Sequence, residues 1–116
     1  MGVPDVDPAG PFWAEVEAET GIVKQGGVVV FPDDRIATDC FAAFVDFLLQ
    51  RGHLSDADVP IASGRKRYLV NDDPVDRAGE EMYSPREVGD GYYLETNYSR
   101  NDIKQRILEL AEYREG

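Results

Sequence analysis

Cysteine and histidine are nearly absent. Cys40 and His53 are the sole examples of each in 116 residues. One cysteine excludes an intramolecular disulfide framework, and with no CxxC or Cys/His cluster the zinc-ligand spacings are missing too. Lysine is scarce as well: only Lys24, Lys66 and Lys104 occur, against nine arginines. No apolar run approaches the roughly 20 residues of a membrane span, and no charged-then-apolar signal segment opens the chain, so a soluble cytoplasmic protein without a membrane partner is expected. Neither a phosphate-binding P-loop nor a dinucleotide-binding glycine loop is found.

Acid is plentiful. Twenty-three carboxylates against 12 bases give a formal net charge of −11. Many carboxylates with few lysines suit a chain kept soluble by self-repulsion, as in a salt-loving cell. The charge is uneven. Residues 1–60 hold 11 acids and 3 bases, whereas residues 61–116 hold 12 acids and 9 bases. The second half also carries the acid-free tract Arg65-Lys66-Arg67.

The length suits one domain with one modest core. Residues 1–11, with Pro4, Pro8 and Pro11 beside Gly2 and Gly10, read as a flexible leader, and 12–116 as a single α+β domain. Periodicity leaves open whether the stretch after Phe12 and Trp13 is a strand or a helical turn. Gly21 to Gln25 and Val28 to Phe31 are β-favouring runs joined by Gly26-Gly27, which predicts a β-hairpin. Ile36, Cys40, Phe41, Phe44, Val45, Leu48 and Leu49 share helical spacing. They predict an amphipathic helix of about 16 residues, starting at Pro32-Asp33-Asp34 and stopping at Gly52. Ser55 and Asp58 have capping-box spacing. Arg67–Asn71 and Tyr92–Thr96 read as strands separated by a polar stretch, and Ser99 with Asp102 caps a closing helix whose stripe is Ile103, Ile107, Leu108, Leu110 and Ala111.

Enzyme chemistry finds little support. The pairs Asp72-Asp73 and Glu80-Glu81 are of a kind that holds metal or divides acid and base roles, but adjacent carboxylates in an acidic chain seldom converge on one ion. Cys40 lies on an apolar helix face, where packing is the simpler role. His53 reads as a surface residue beside a helix end. No catalytic residue, metal ligand or cofactor is assigned.

A polar constellation in the second half carries more. Arg65 and Arg67 bear fork-shaped donors suited to phosphate or to a guanine edge, with Lys66 between them. Thr96-Asn97-Tyr98-Ser99 joins a strand to a helix N-terminus, where backbone N–H groups favour an anion. Asn97 has the amide for a bidentate adenine contact, and Thr96 and Ser99 have hydroxyls for backbone oxygens. Arg100 and Lys104 share a helix face. On the residues alone, a solvated charge cluster with ordinary turn and cap residues is the simpler reading. A second functional reading is an acidic protein-interaction domain that docks a partner on the hairpin edge or on an exposed aromatic face around Phe44 and Phe47.

Residues 41–116 resemble the C-terminal DNA-binding domain of the SeqA family, negative modulators of replication initiation that bind hemimethylated GATC sites. The likeness runs from the helix Phe41–Leu49 through Gly64-Arg65-Lys66-Arg67-Tyr68, Asp73-Pro74, Gly79, Pro85 and Tyr92-Tyr93 to Thr96-Asn97 and an Ile/Leu-rich helix. It implies an α+β domain with a small antiparallel sheet, double-stranded DNA as a methylation-sensitive partner, and a regulatory role. It also implies that the loops at 65–67 and 96–99 lie side by side, with Arg65, Lys66, Arg67, Thr96, Asn97, Ser99 and Arg100 toward the DNA. Three departures stand out. Ser99 replaces the family's second asparagine, Ser84-Pro85-Arg86-Glu87 replaces lysines before the aromatic strand, and the hairpin stands where the family has oligomerisation helices.

Overall fold

The computed structural model describes residues 10–115 except 64 and 66. Most of the leader, Gly64 and Lys66 therefore lie outside the described residues. Among the described residues the fold is α+β: three α-helices with two small antiparallel sheets.

Helix α1 spans Gly10–Thr20 and settles the ambiguity after Phe12. It also corrects the leader boundary, because Gly10 and Pro11 form its first turn. Proline suits that position, where its missing N–H would have no helical partner. One stripe, Trp13, Val16 and Thr20, is buried. Strands β1 (Val23–Gln25) and β2 (Val28–Val30) follow and pair with Gln25 opposite Val28. The two-residue turn between them holds Gly26 at φ +58° and Gly27 at φ +78°, the positive values that a primed hairpin turn requires.

Helix α2 spans Ala37–Gln50, starting later than the prediction. Pro32-Asp33-Asp34 closes a β-turn instead, in which the Arg35 N–H donates to the Pro32 carbonyl at 3.2 Å. Proline and aspartate favour turns as readily as helix starts. Ile36 consequently lies ahead of the helix and 63% exposed, which removes it from the expected apolar face. Cys40, Phe41, Phe44, Val45, Phe47 and Leu48 form that face and the middle of the core. Trp13 stacks on Phe44 at 6.2 Å between ring centroids. Arg51 ties the end of α2 to α1 through Glu15 (3.0 Å) and Glu19 (2.9 Å).

After a single 3₁₀ turn (Asp56–Asp58), closed by the Ser55/Asp58 capping box, comes a four-stranded sheet. Its strands are β3 (Ile61–Ser63), β4 (Arg67–Asn71), β5 (Pro85–Val88) and β6 (Tyr92–Glu95), in the order β3-β4-β6-β5, all antiparallel. Strands β3 and β5 were not foreseen. Strand β3 lies ahead of the arginine-bearing turn, and β5 lies inside the polar stretch. The rest of that stretch is folded around Asp76, whose Oδ1 accepts the N–H groups of Ala78 (2.8 Å) and Glu80 (3.0 Å). Helix α3, Arg100–Glu115, closes the fold, burying Ile103, Ile107, Leu110 and Ala111. Among the described residues no helix is long and apolar enough to cross a membrane.

Candidate nucleic-acid interface

Strand register brings three separate segments to one end of the four-stranded sheet. Val70 faces Leu94 across β4 and β6, and Pro85 faces Glu95 across β5 and β6. Continuing both ladders past the strand ends puts Arg67 and Tyr83 on either side of Asn97. The β3–β4 turn, which carries the exposed Arg65, lies at the same end because Ser63 pairs with Arg67.

The side chains complete the junction. Arg67 Nη1 donates to the Asn97 carbonyl oxygen at 3.3 Å. Its guanidinium lies 4.7 Å from the centre of the Tyr83 ring and 5.4 Å from that of Tyr98. Tyr98 in turn has the Arg106 guanidinium 4.5 Å from its ring centre, and its hydroxyl is 2.9 Å from Ser63 Oγ. Two arginines and two tyrosines thus form a connected cluster of cation–π contacts, each worth roughly 0.5–1 kcal/mol at an exposed site. Partial burial works against the Arg67 charge, but the Tyr98 hydroxyl and the Glu95 carboxylate nearby more than offset it, so Arg67 holds its proton more firmly than an ordinary arginine.

Glu95 organises the loops. It is only 1% exposed. One carboxylate oxygen accepts the Tyr83 N–H at 2.8 Å, and the other accepts the N–H groups of Ser84 (2.8 Å) and Asn97 (3.1 Å). A buried carboxylate is tolerated when donors surround it, and here the three donors are backbone groups of the two loops that must meet.

The predicted residues fare differently. Arg67 and Asn97 come together, Arg65 lies at the same end of the sheet, and the Arg65 and Asn97 residues are exposed. Lys66 lies outside the described residues. Thr96 is corrected: it is 8% exposed and its hydroxyl donates to the Ser84 carbonyl at 2.8 Å, so it braces the loop and has no free hydroxyl donor. Ser99 caps α3, its Oγ accepting the Asp102 N–H at 3.2 Å, and it remains exposed. Arg100 turns toward the hairpin, its guanidinium 5.1 Å from the Phe31 ring centre, where Lys104 joins it at 5.5 Å. These two share a face as expected, but their cationic heads gather at Phe31.

Three residues of the site carry no assigned role in the sequence reading: Glu95, Tyr83 and Arg106. A lone glutamate ending an aromatic strand and a tyrosine in a polar stretch give no local signal; only the β5–β6 register joins them. The expected aromatic docking face is overturned, since Phe44 and Phe47 are buried. His53 is also less of a surface residue than expected, packing beside the rings of Phe12 (5.2 Å) and Phe47 (5.6 Å), with Glu15 3.5 Å away. Among the described residues no three His, Cys, Asp or Glu side chains gather as a metal site.

Compared with protein-family models, with curated proteins and with solved structures, the chain matches none.

Proposed function

We propose that this chain is a small, non-enzymatic DNA-binding domain similar to the DNA-binding domain of the SeqA family, acting in the cytoplasm of a salt-rich cell. Arg65 and Arg67, with Lys66 between them in sequence, grip the duplex, and the Asn97 carboxamide reads a base pair. The observation that carries this reading is the juxtaposition of Arg67 with Asn97, residues thirty apart in sequence. An arginine already stacked on aromatic rings has less freedom to lose when its remaining donors meet phosphate or guanine. A regulatory role in replication follows the resemblance.

Net negative charge opposes the approach of DNA at long range, but screening at about 10 Å in 0.1 M salt leaves the local patch to decide. Anisotropy titration with GATC duplexes in unmethylated, hemimethylated and fully methylated forms tests the reading. Asn97→Ala is expected to relax sequence preference, and Arg65→Ala to weaken every duplex. Lys66→Ala flattens the dependence of log affinity on log salt by about 0.9. Absence of binding to any duplex at low salt overturns the reading.

A second reading, protein interaction through the hairpin, is favoured by one observation. Val28 and Val30 stand 51% and 39% exposed on the outer face of β2. A hairpin with apolar residues outward is a surface against which a partner can pack.

A further inference from the structure

Tyr83 is the most exposed of the large hydrophobic side chains among the described residues. It is 71% exposed, yet its backbone N–H is held by Glu95 at 2.8 Å and the flanking Met82 and Ser84 N–H groups are bonded to Pro74 (3.0 Å) and Glu95 (2.8 Å). One face of its ring carries the Arg67 guanidinium at 4.7 Å. With most of the residue still in water, the opposite face is open. No other ring is paired with it among the described residues. The aromatic ring adds nothing to the core, and its position is set by the same carboxylate that sets Asn97.

An open π-face with cations beside it is the arrangement on which an unstacked base settles, its phosphates taken by neighbouring arginines. We propose that Tyr83 is a stacking platform for an unpaired base, so that this site takes DNA carrying a base outside the double helix in preference to perfect duplex. The proposal rests on the DNA-binding reading above and specifies its ligand. Arg67 polarises the ring from behind, Arg65 and Arg67 face the sugar-phosphate chain, and the Asn97 carboxamide lies within the same end of the sheet. A peptide is the poorer fit, because the neighbour shown on the Tyr83 ring is a guanidinium and not an apolar side chain.

The test uses the full chain and three labelled probes: a short oligodeoxythymidylate, a perfect duplex, and that duplex with one unpaired thymine. The wild type is expected to bind the single strand and the bulged duplex more tightly than the perfect one. Tyr83→Ala should weaken those two by about 5- to 150-fold, the range for one stacked base, and weaken the perfect duplex by a smaller factor, through the lost contact with Arg67 alone. Tyr83→Phe should keep wild-type affinity for all three. If Tyr83→Ala weakens all three probes alike or none of them, or if Tyr83→Phe behaves as Tyr83→Ala, the stacking role is wrong. Perfect-duplex binding that still depends on Asn97 would then leave the broader reading standing. If the wild type binds none of the probes, both fall together.

Discussion

The Glu95 carboxylate accepts the backbone N–H of Asn97 at 3.1 Å while holding the N–H groups of Tyr83 and Ser84 at 2.8 Å each. One buried acid thereby fixes the relative positions of two loops that strand pairing alone leaves free. Its own strand, β6, pairs with β5, so it joins the loop that enters β5 to the loop that leaves β6.

Removing that acid should therefore loosen the site from within. Glu95→Ala leaves three backbone donors without their acceptor, each costing about 1–3 kcal/mol when buried. We expect a total loss of about 3 kcal/mol or more by urea denaturation, with Glu95→Gln intermediate because one acceptor oxygen survives. A loss within about 0.5 kcal/mol, the range of an ordinary surface substitution, would contradict the assigned role.

Much of the architecture was legible in the sequence. Gly26-Gly27 gave the hairpin because two positive φ angles in succession demand glycine, and the spacing of Phe41, Phe44, Val45 and Leu48 gave α2. Ser99 and Asp102 marked the start of α3 through capping. Strands β3 and β5 were hidden because three or four residues with mixed polarity carry no clear period, and their identity depends on partners far along the chain. The site followed the same division. Arg65, Arg67 and Asn97 were visible as residue types suited to DNA, whereas the buried state of Thr96 and the turn of Arg100 toward Phe31 depend on tertiary packing. Tyr83 joined the site only through the register of β5 on β6.

Gly89, in the turn between β5 and β6, gives a sharp test of packing. It sits at φ +59°, and a Cβ there would meet Leu49 Cδ1 at 2.7 Å and Cβ at 3.0 Å. Its N–H also donates to Asp46 Oδ1 at 2.7 Å, tying the turn to α2. Gly89→Ala combines an unfavourable backbone angle with a collision against a helix. We expect a loss of about 1–3 kcal/mol, read as a lower urea midpoint with an unchanged slope. Gly91 is at φ +92° with open space around its would-be Cβ, so Gly91→Ala should cost less than Gly89→Ala.

Cys40 offers a prediction in pH. The side chain is fully buried, and burial pushes its thiol pKa up, although Arg35 and Arg100 pull the other way. The folded value thus lies above the unfolded one. The neutral thiol's contribution to stability is complete below the unfolded value, about 8.5, and is lost as pH rises toward the folded one. The urea midpoint should fall between pH 8 and 10 more steeply for the wild type than for Cys40→Ala. A thiol reagent should label Cys40 only after denaturation. Identical pH profiles, or rapid labelling of the native protein, would contradict this burial.

The most direct measurement of the central claim is amide chemical-shift perturbation on adding a short DNA duplex to the isotope-labelled protein. Shifts are expected to concentrate at Arg65, Arg67, Tyr83, Asn97 and Tyr98, leaving the far end around Glu15, Arg51 and His53 unmoved. Shifts confined to the hairpin at Val28–Val30, or none at all at low salt, would contradict the account.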